Sequence, residues 1–214
     1  MSELLKKQNY GVEVEFTGIT RAMAAKAVAE VIGSTVTGPD HTCYHTRIIR
    51  DSQGRKWKIM RDSSIIPVRK TGNENMDEYR VEFVTPILKY DDLETLQAII
   101  RKFREIGGVP HASCGIHIHV DGANHTATSL RRLVNFMYSR QEIIYDALAV
   151  GSRKNRWCLP VCKNLLDTMK KDKNITTDSV EKIWYSPAND GKVICIMDND
   201  VFRYLICIAV VIAD

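Results

Sequence analysis

Three short stretches of this chain alternate between apolar and polar residues, and in each the polar side carries carboxylates or imidazoles. Tyr10, Val12, Val14 and Phe16 alternate with Gly11, Glu13, Glu15 and Thr17. Within Glu78–Thr85, the apolar Tyr79, Val81 and Phe83 alternate with Arg80 and Glu82. Within Cys114–Asp121, the apolar Ile116, Ile118 and Val120 alternate with Gly115, His117, His119 and Asp121. A period of two belongs to a β-strand with one buried and one polar face. Such strands fit an antiparallel or mixed sheet, because strands of all-parallel sheets are covered on both faces and read as continuous apolar runs.

Helical spacing fills the intervals. Thr20 is a predicted N-cap for a helix whose stripe is Met23, Ala24, Ala27, Val28 and Val31, and Gly33 stops it. Asp91 with Glu94 resembles a capping box ahead of Leu96, Ile99, Ile100, Phe103 and Ile106, and Gly107-Gly108 ends that helix. The longest predicted helix runs from Thr128 to Val150 with Gly151 as its C-cap, and a shorter one covers Asn164–Lys171. Cys43–Arg50 and Lys56–Arg61 are predicted strands around an Asp51–Gly54 turn, and Lys192–Met197 and Val201–Ile212 are predicted strands near the end. Residues 34–42 and Asp62–Asp77 read as loops, with Pro86 closing the strand before it. The mixed order of elements and the short turns predict an α+β fold, a mainly antiparallel sheet backed by helices.

At 44% hydrophobic residues, the 214-residue chain can bury enough surface to offset its ordering entropy, which excludes disorder as its main state. That length predicts a single domain over 1–214. A net charge of +4 permits a polyanionic ligand such as a nucleotide without calling for nucleic acid. The longest apolar run, Tyr204–Ala213, is about half of the roughly 20 residues a spanning helix needs, so no membrane segment is expected. The polar start and the few, irregularly spaced cysteines predict reduced thiols in a cytoplasm.

If the three alternating strands share a sheet, Glu13, Glu15, Glu82, His117 and His119 gather on one face. Like charges opposite one another cost roughly 0.2–1 kcal/mol per pair, and a divalent cation removes that cost. Carboxylates with an imidazole suit Mg²⁺ or Mn²⁺ better than a structural zinc. The alternative is the wet face that any one-sided antiparallel sheet presents. Other arrangements are weaker. Cys158 and Cys162 lack a second ligand pair for zinc. Cys114 and His117 point to opposite faces of a strand. Arg153, Lys154 and Arg156 form a basic loop, read either as solvated surface or as a phosphate contact. No P-loop, dinucleotide fingerprint or nucleophile elbow is present.

The stretch Tyr10–Thr17 resembles the opening strand of the amidoligases, a carboxylate–amine ligase group related to glutamine synthetase and glutamate–cysteine ligase. Tyr79–Pro86 is similar to that family's Glu-x-x-Ser-Pro strand, with Thr85 in the Ser place. Cys114–Val120 resembles its Cys-Gly-x-His-x-His strand, and Trp57–Ser64 its Trp…Asp-x-Ser segment. The resemblance implies a curved sheet like the glutamine synthetase catalytic domain, and an ATP-dependent ligase that joins a small-molecule or peptide carboxylate to an amine through an acyl phosphate. It implies Glu13, Glu15, Glu82 and His117 as ligands of Mg²⁺ (or Mn²⁺), with Glu15 and His117 at the chemistry and His119 near the nucleotide or substrate. Arg153, Arg156 and Arg203 are the candidate contacts to phosphate or substrate carboxylate. The family pattern continues past an Arg-Tyr, here Arg203-Tyr204, into a last strand with Glu-x-Arg. Here the chain continues as Leu205–Asp214 without that triplet. The expectation is a chain altered at its end that binds Mg-ATP poorly. The other readings are a binding module without turnover and a metal-dependent hydrolase using His117 and His119. Nothing in the sequence identifies an interface between copies.

Overall fold

A computed structural model describes residues 3–70, 72–123, 125–149 and 159–186. The chain divides into two compact units, one reaching to Ile118 and one beginning at His119. Among the described residues no helix is long and apolar enough to cross a membrane.

The first unit opens with helix α1 (Glu3–Lys6), strand β1 (Tyr10–Phe16) and helix α2 (Arg21–Ile32). Thr20 caps α2 by accepting the Met23 amide, and Gly33 ends it with a left-handed φ of 66°. There follow β2 (Val36–Thr37), β3 (Arg47–Arg50), β4 (Lys56–Met60), β5 (Val81–Val84), helix α3 (Leu93–Glu105) and β6 (Ile116–Val120). The six strands form one sheet in the order β2-β3-β4-β5-β1-β6. All the pairs from β2 to β1 are antiparallel. The Glu15 amide donates to the Gly115 carbonyl at 2.9 Å and Glu13 meets His117 at 3.0 Å, which is the antiparallel register for β6 as well. The fold is α+β, as the sequence predicts.

The core of this unit lies between the sheet and helices α2 and α3. Ile19, Ala24, Val28, Ile49, Trp57, Ile59, Val81, Phe83 and Ile99 share one buried cluster. Phe103 stacks on Phe16 at 4.7 Å and meets Phe83 edge-on at 5.3 Å. The apolar halves of β1, β4 and β5 are therefore consumed by packing, and their polar halves are turned to the other side of the sheet.

Several boundaries depart from the sequence expectations. Val36–Thr37, inside the predicted 34–42 loop, pairs with Ile49 and Ile48 as an edge strand. Cys43–Thr46 belongs to a turn, not to the strand predicted from Cys43: Asp40 Oδ1 accepts the Thr42 and Thr46 amides, and His45 takes a positive φ of 48°. Met76–Tyr79 is a 3₁₀ turn, so the strand predicted from Glu78 starts at Val81. Buried Arg21 holds that turn, donating to the Asp77 and Arg80 carbonyls and pairing with Glu78 at 2.7 Å. Ahead of α3 it is Asp92, not Asp91, that accepts a main-chain amide, that of Lys89.

In the second unit, α4 (Ala127–Ala147), α5 (Lys163–Lys171) and α6 (Thr177–Trp184) pack around Leu130, Val134, Val161, Leu165, Leu166, Met169 and Val180. Helix α4 ends at Ala147, short of the predicted Val150, with Leu148 as its C-cap and a positive φ of 53° at Ala149. Cys162 caps α5, its sulfur accepting the Leu165 amide at 3.4 Å. Helix α6 is absent from the sequence prediction, although Thr176 and Ser179 cap each other's amides at its start. The predicted strands Lys192–Met197 and Val201–Ile212, with Gly151, lie outside the described residues.

Candidate functional site

β1 lies between β5 and β6, so its two glutamates reach partners on both sides. Toward β5, Glu15 stands directly opposite Glu82 in the register. Thr85 fastens that register: its hydroxyl accepts the Val12 amide at 2.9 Å and its own amide donates to the Val12 carbonyl at 3.0 Å. This is the physical use of the hydroxyl residue in the Thr85-Pro86 step. Toward β6, Glu13 Oε2 meets His117 Nδ1 at 3.0 Å, and Glu15 Oε2 accepts the Gly115 amide at 2.8 Å.

A third carboxylate joins from outside the sheet. Ligand oxygens of Glu15, Asp62 and Glu82 lie within 4.8 Å of one another. Asp62 sits in the turn after β4, where its Oδ1 accepts the Ser64 amide at 2.6 Å. Asp62 falls in the Trp57–Ser64 segment, where the sequence alone assigns it no role. It lies in a loop, where no periodicity marks a face; the signal was the Asp-x-Ser spacing of a side chain that bonds its own backbone two residues on.

The electrostatics follow from this crowding. Glu82 is pushed up to about 8, first by burial, then by the charges of Glu13, Asp62 and Glu15, with His117 opposing. The hydrogen bond to Glu13 raises the His117 imidazole above its ordinary value against the desolvation that would lower it. The four predicted ligands thus divide into two groups. Glu15 and Glu82 belong with Asp62, and Glu13 pairs with His117. Both groups lie in the first unit.

His119 is half-buried and follows two residues along β6, where the second unit begins. Arg153, Lys154, Arg156, Cys158 and Arg203 lie outside the described residues. Cys114 is buried.

The donor set is chemically coherent. Oxygen donors from three carboxylates, with a histidine beside them, match the ligand preference of Mg²⁺ or Mn²⁺. Glu82 is buried among carboxylates and holds its proton to about 8 although His117 opposes this, and a divalent cation would favour its ionised form. Residues 6–206 match a family model described as "Putative amidoligase enzyme". No curated protein sequence matches the chain.

Proposed function

As this chain belongs to the amidoligase family, we propose that it is an ATP-dependent carboxylate–amine ligase working on the acidic face of its first unit. The observation that carries the reading is the convergence of Glu15, Asp62 and Glu82, with ligand atoms within 4.8 Å. Three carboxylates brought this close repel one another when all are ionised, and a cation would remove that repulsion.

In this reading Glu15, Asp62 and Glu82 hold a Mg²⁺ or Mn²⁺ ion, and Glu13 with His117 stands beside it as a further pair of ligands. A bound divalent cation supplies charge neutralisation to phosphate oxygens during transfer. The substrate carboxylate attacks the γ-phosphorus of ATP and ADP leaves. The amine then attacks the acyl carbon, and phosphate leaves with the bonding pair and takes the proton that the amine nitrogen gives up. Glu13 fixes the imidazole of His117 through Nδ1, which leaves Nε2 to face a ligand. Gly115 holds one oxygen of Glu15 through its amide and so limits the rotamers of that carboxylate. His119, Arg153, Arg156 and Arg203 remain the proposed contacts to nucleotide or substrate.

The test is thermal stability with Mg²⁺ and ATP, alone and together, in the native protein and a Glu13→Ala/Glu15→Ala double variant. Ligand at about a hundred times its dissociation constant adds roughly 2.7 kcal/mol, on the order of 5–10 °C for a chain this size. A rise that needs both ligands and vanishes in the variant supports the reading. ADP release that requires both a carboxylate and an amine identifies the ligase. Metal-dependent hydrolysis without nucleotide would replace it with a hydrolase using His117 and His119.

A further inference from the structure

Arg80 precedes Glu82 by two residues on one extended segment, with φ −86° and ψ 99° at Arg80. The period of two turns both side chains to the same side. Nη1 of Arg80 donates to the carbonyl oxygens of Ser63 and Ile65, each at 2.5 Å, and Nε faces Asp77 at 3.4 Å. Those two carbonyls belong to the turn that presents Asp62. The same turn is held from another direction, where the Ile66 amide donates to Ser113 Oγ at 2.8 Å. Ile65 between them is fully buried.

We infer that Arg80 is a positioning residue that sets the Asp62 carboxylate beside Glu15 and Glu82 for a divalent cation, an inference that rests on the cation site proposed above. The physical need is plain. Asp62 lies past the end of β4, so no strand ladder fixes its backbone. Repulsion from Glu15, and from Glu82 once it ionises, drives its carboxylate toward solvent. A guanidinium that bonds two carbonyls of the turn opposes this motion. Because it grows from the residue just ahead of the strand that carries Glu82, it couples the loop donor to the sheet donor. Arg21, by contrast, donates to the Arg80 carbonyl at 3.1 Å, and so steadies the backbone from which Arg80 extends.

The experiment titrates Mn²⁺, reading free ion by electron paramagnetic resonance, into the native protein, Arg80→Met, Arg80→Lys, Asp62→Asn and the Arg80→Met/Asp62→Asn pair. Loss of a partner that orients a ligand weakens metal binding by about 10–100-fold. Arg80→Met is expected to weaken Mn²⁺ binding by that factor, Arg80→Lys to recover part of it, and Arg80→Met to add nothing once Asp62 is Asn. Native affinity in Arg80→Met overturns the inference, and so does an equal loss in both backgrounds, which marks a general structural role. Absence of Mn²⁺ binding in the native protein overturns the cation site itself. Should circular dichroism show Arg80→Met unfolded, Arg80→Lys decides: it is expected to weaken Mn²⁺ binding only where Asp62 is present, and an unchanged affinity or an equal loss in both backgrounds overturns the inference.

Discussion

Glu15 of β1 lies directly opposite Glu82 of β5, and Asp62 brings a third carboxylate within 4.8 Å of both. A sheet built for stability alone places opposite charges at such a position, since like charges there cost roughly 0.2–1 kcal/mol. The pair is nonetheless held in register by Thr85 and by the Val14–Phe83 packing next to it. The consequences can be measured.

Stability without metal should fall as pH rises. The Glu82 carboxyl is raised from 4.5 to about 8 on folding, so the folded state holds this proton more tightly. Its stabilisation is complete below about 4.5 and is lost as pH climbs through about 8. His117 is raised as well, so its contribution has the same sign and disappears above its ordinary 6.5. Each proton gives a slope of at most about 1.4 kcal/mol per pH unit. Urea unfolding across this range checks it. Glu82→Gln should flatten most of the slope; an unchanged slope in that variant would place the proton elsewhere.

Cation binding near neutral pH should release a proton. The Glu82 carboxyl is largely protonated there and must ionise to serve as a ligand. Calorimetric titration of Mn²⁺ in two buffers of different ionisation enthalpy is expected to show Glu82 releasing about one proton per ion, and a correspondingly smaller release in Glu82→Gln, where only His117 still has a proton to lose.

Removing the partner of His117 should lower its pKa. The bond from Glu13 is the largest cause of the upward shift, and burial acts against it. In Glu13→Gln the imidazole should titrate lower than in the native protein, by proton NMR of the ring. An unmoved value would mean that the 3.0 Å contact does not persist in solution.

Arg21→Ala should destabilise the first unit by about 3 kcal/mol, the scale for breaking a buried ion pair by removing one partner. Arg21 is 0% exposed and its departure strands the Asp77 and Arg80 carbonyls. The unfolding midpoint in urea reads this directly. A loss under half that size would show the 3₁₀ turn before β5 to be held by other contacts.

Gly18→Ala should cost more than about 1 kcal/mol, because a residue with a side chain is strained at positive φ. Gly18 has φ +87°, and a Cβ there would stand 2.6 Å from the Gly107 carbonyl. Its amide also donates to the Val68 carbonyl, which ties β1 to the loop after Asp62. Midpoint shifts in thermal unfolding test this, with Gly33→Ala as comparison: that glycine also has positive φ, but nothing lies within 4 Å of its Cβ position. Equal losses would remove the steric part of the argument.

Much of this was legible in the chain itself. Glu13 and Glu15 share a face because strand side chains alternate, whatever the partner strands are. The same logic separates His117 and His119 from Ile116 and Ile118. Thr20, Gly33 and the Asp51–Gly54 turn were readable because their chemistry is local: a side chain or a permissive φ satisfies groups within a few residues. Val36–Thr37 was not readable, since two residues become a strand only when Ile48 and Ile49 are there to pair with them. The Met76–Tyr79 turn was missed for a related reason. It replaces the first residues of an alternating segment because the Arg21 guanidinium, far off in the chain, gathers Asp77 and Glu78.

The sequence by itself determined which side chains each strand offers on its polar side, because a period of two is a property of the extended backbone alone. Only the tertiary structure decided which of them meet. Hydrogen bonding of β1 between β5 and β6 sets Glu15 against Glu82 and Glu13 against His117. A loop outside any periodic pattern, clipped by Arg80, adds Asp62. Pairing of this kind joins residues distant in the chain, and its register follows from packing and from bonds such as that of Thr85 to Val12.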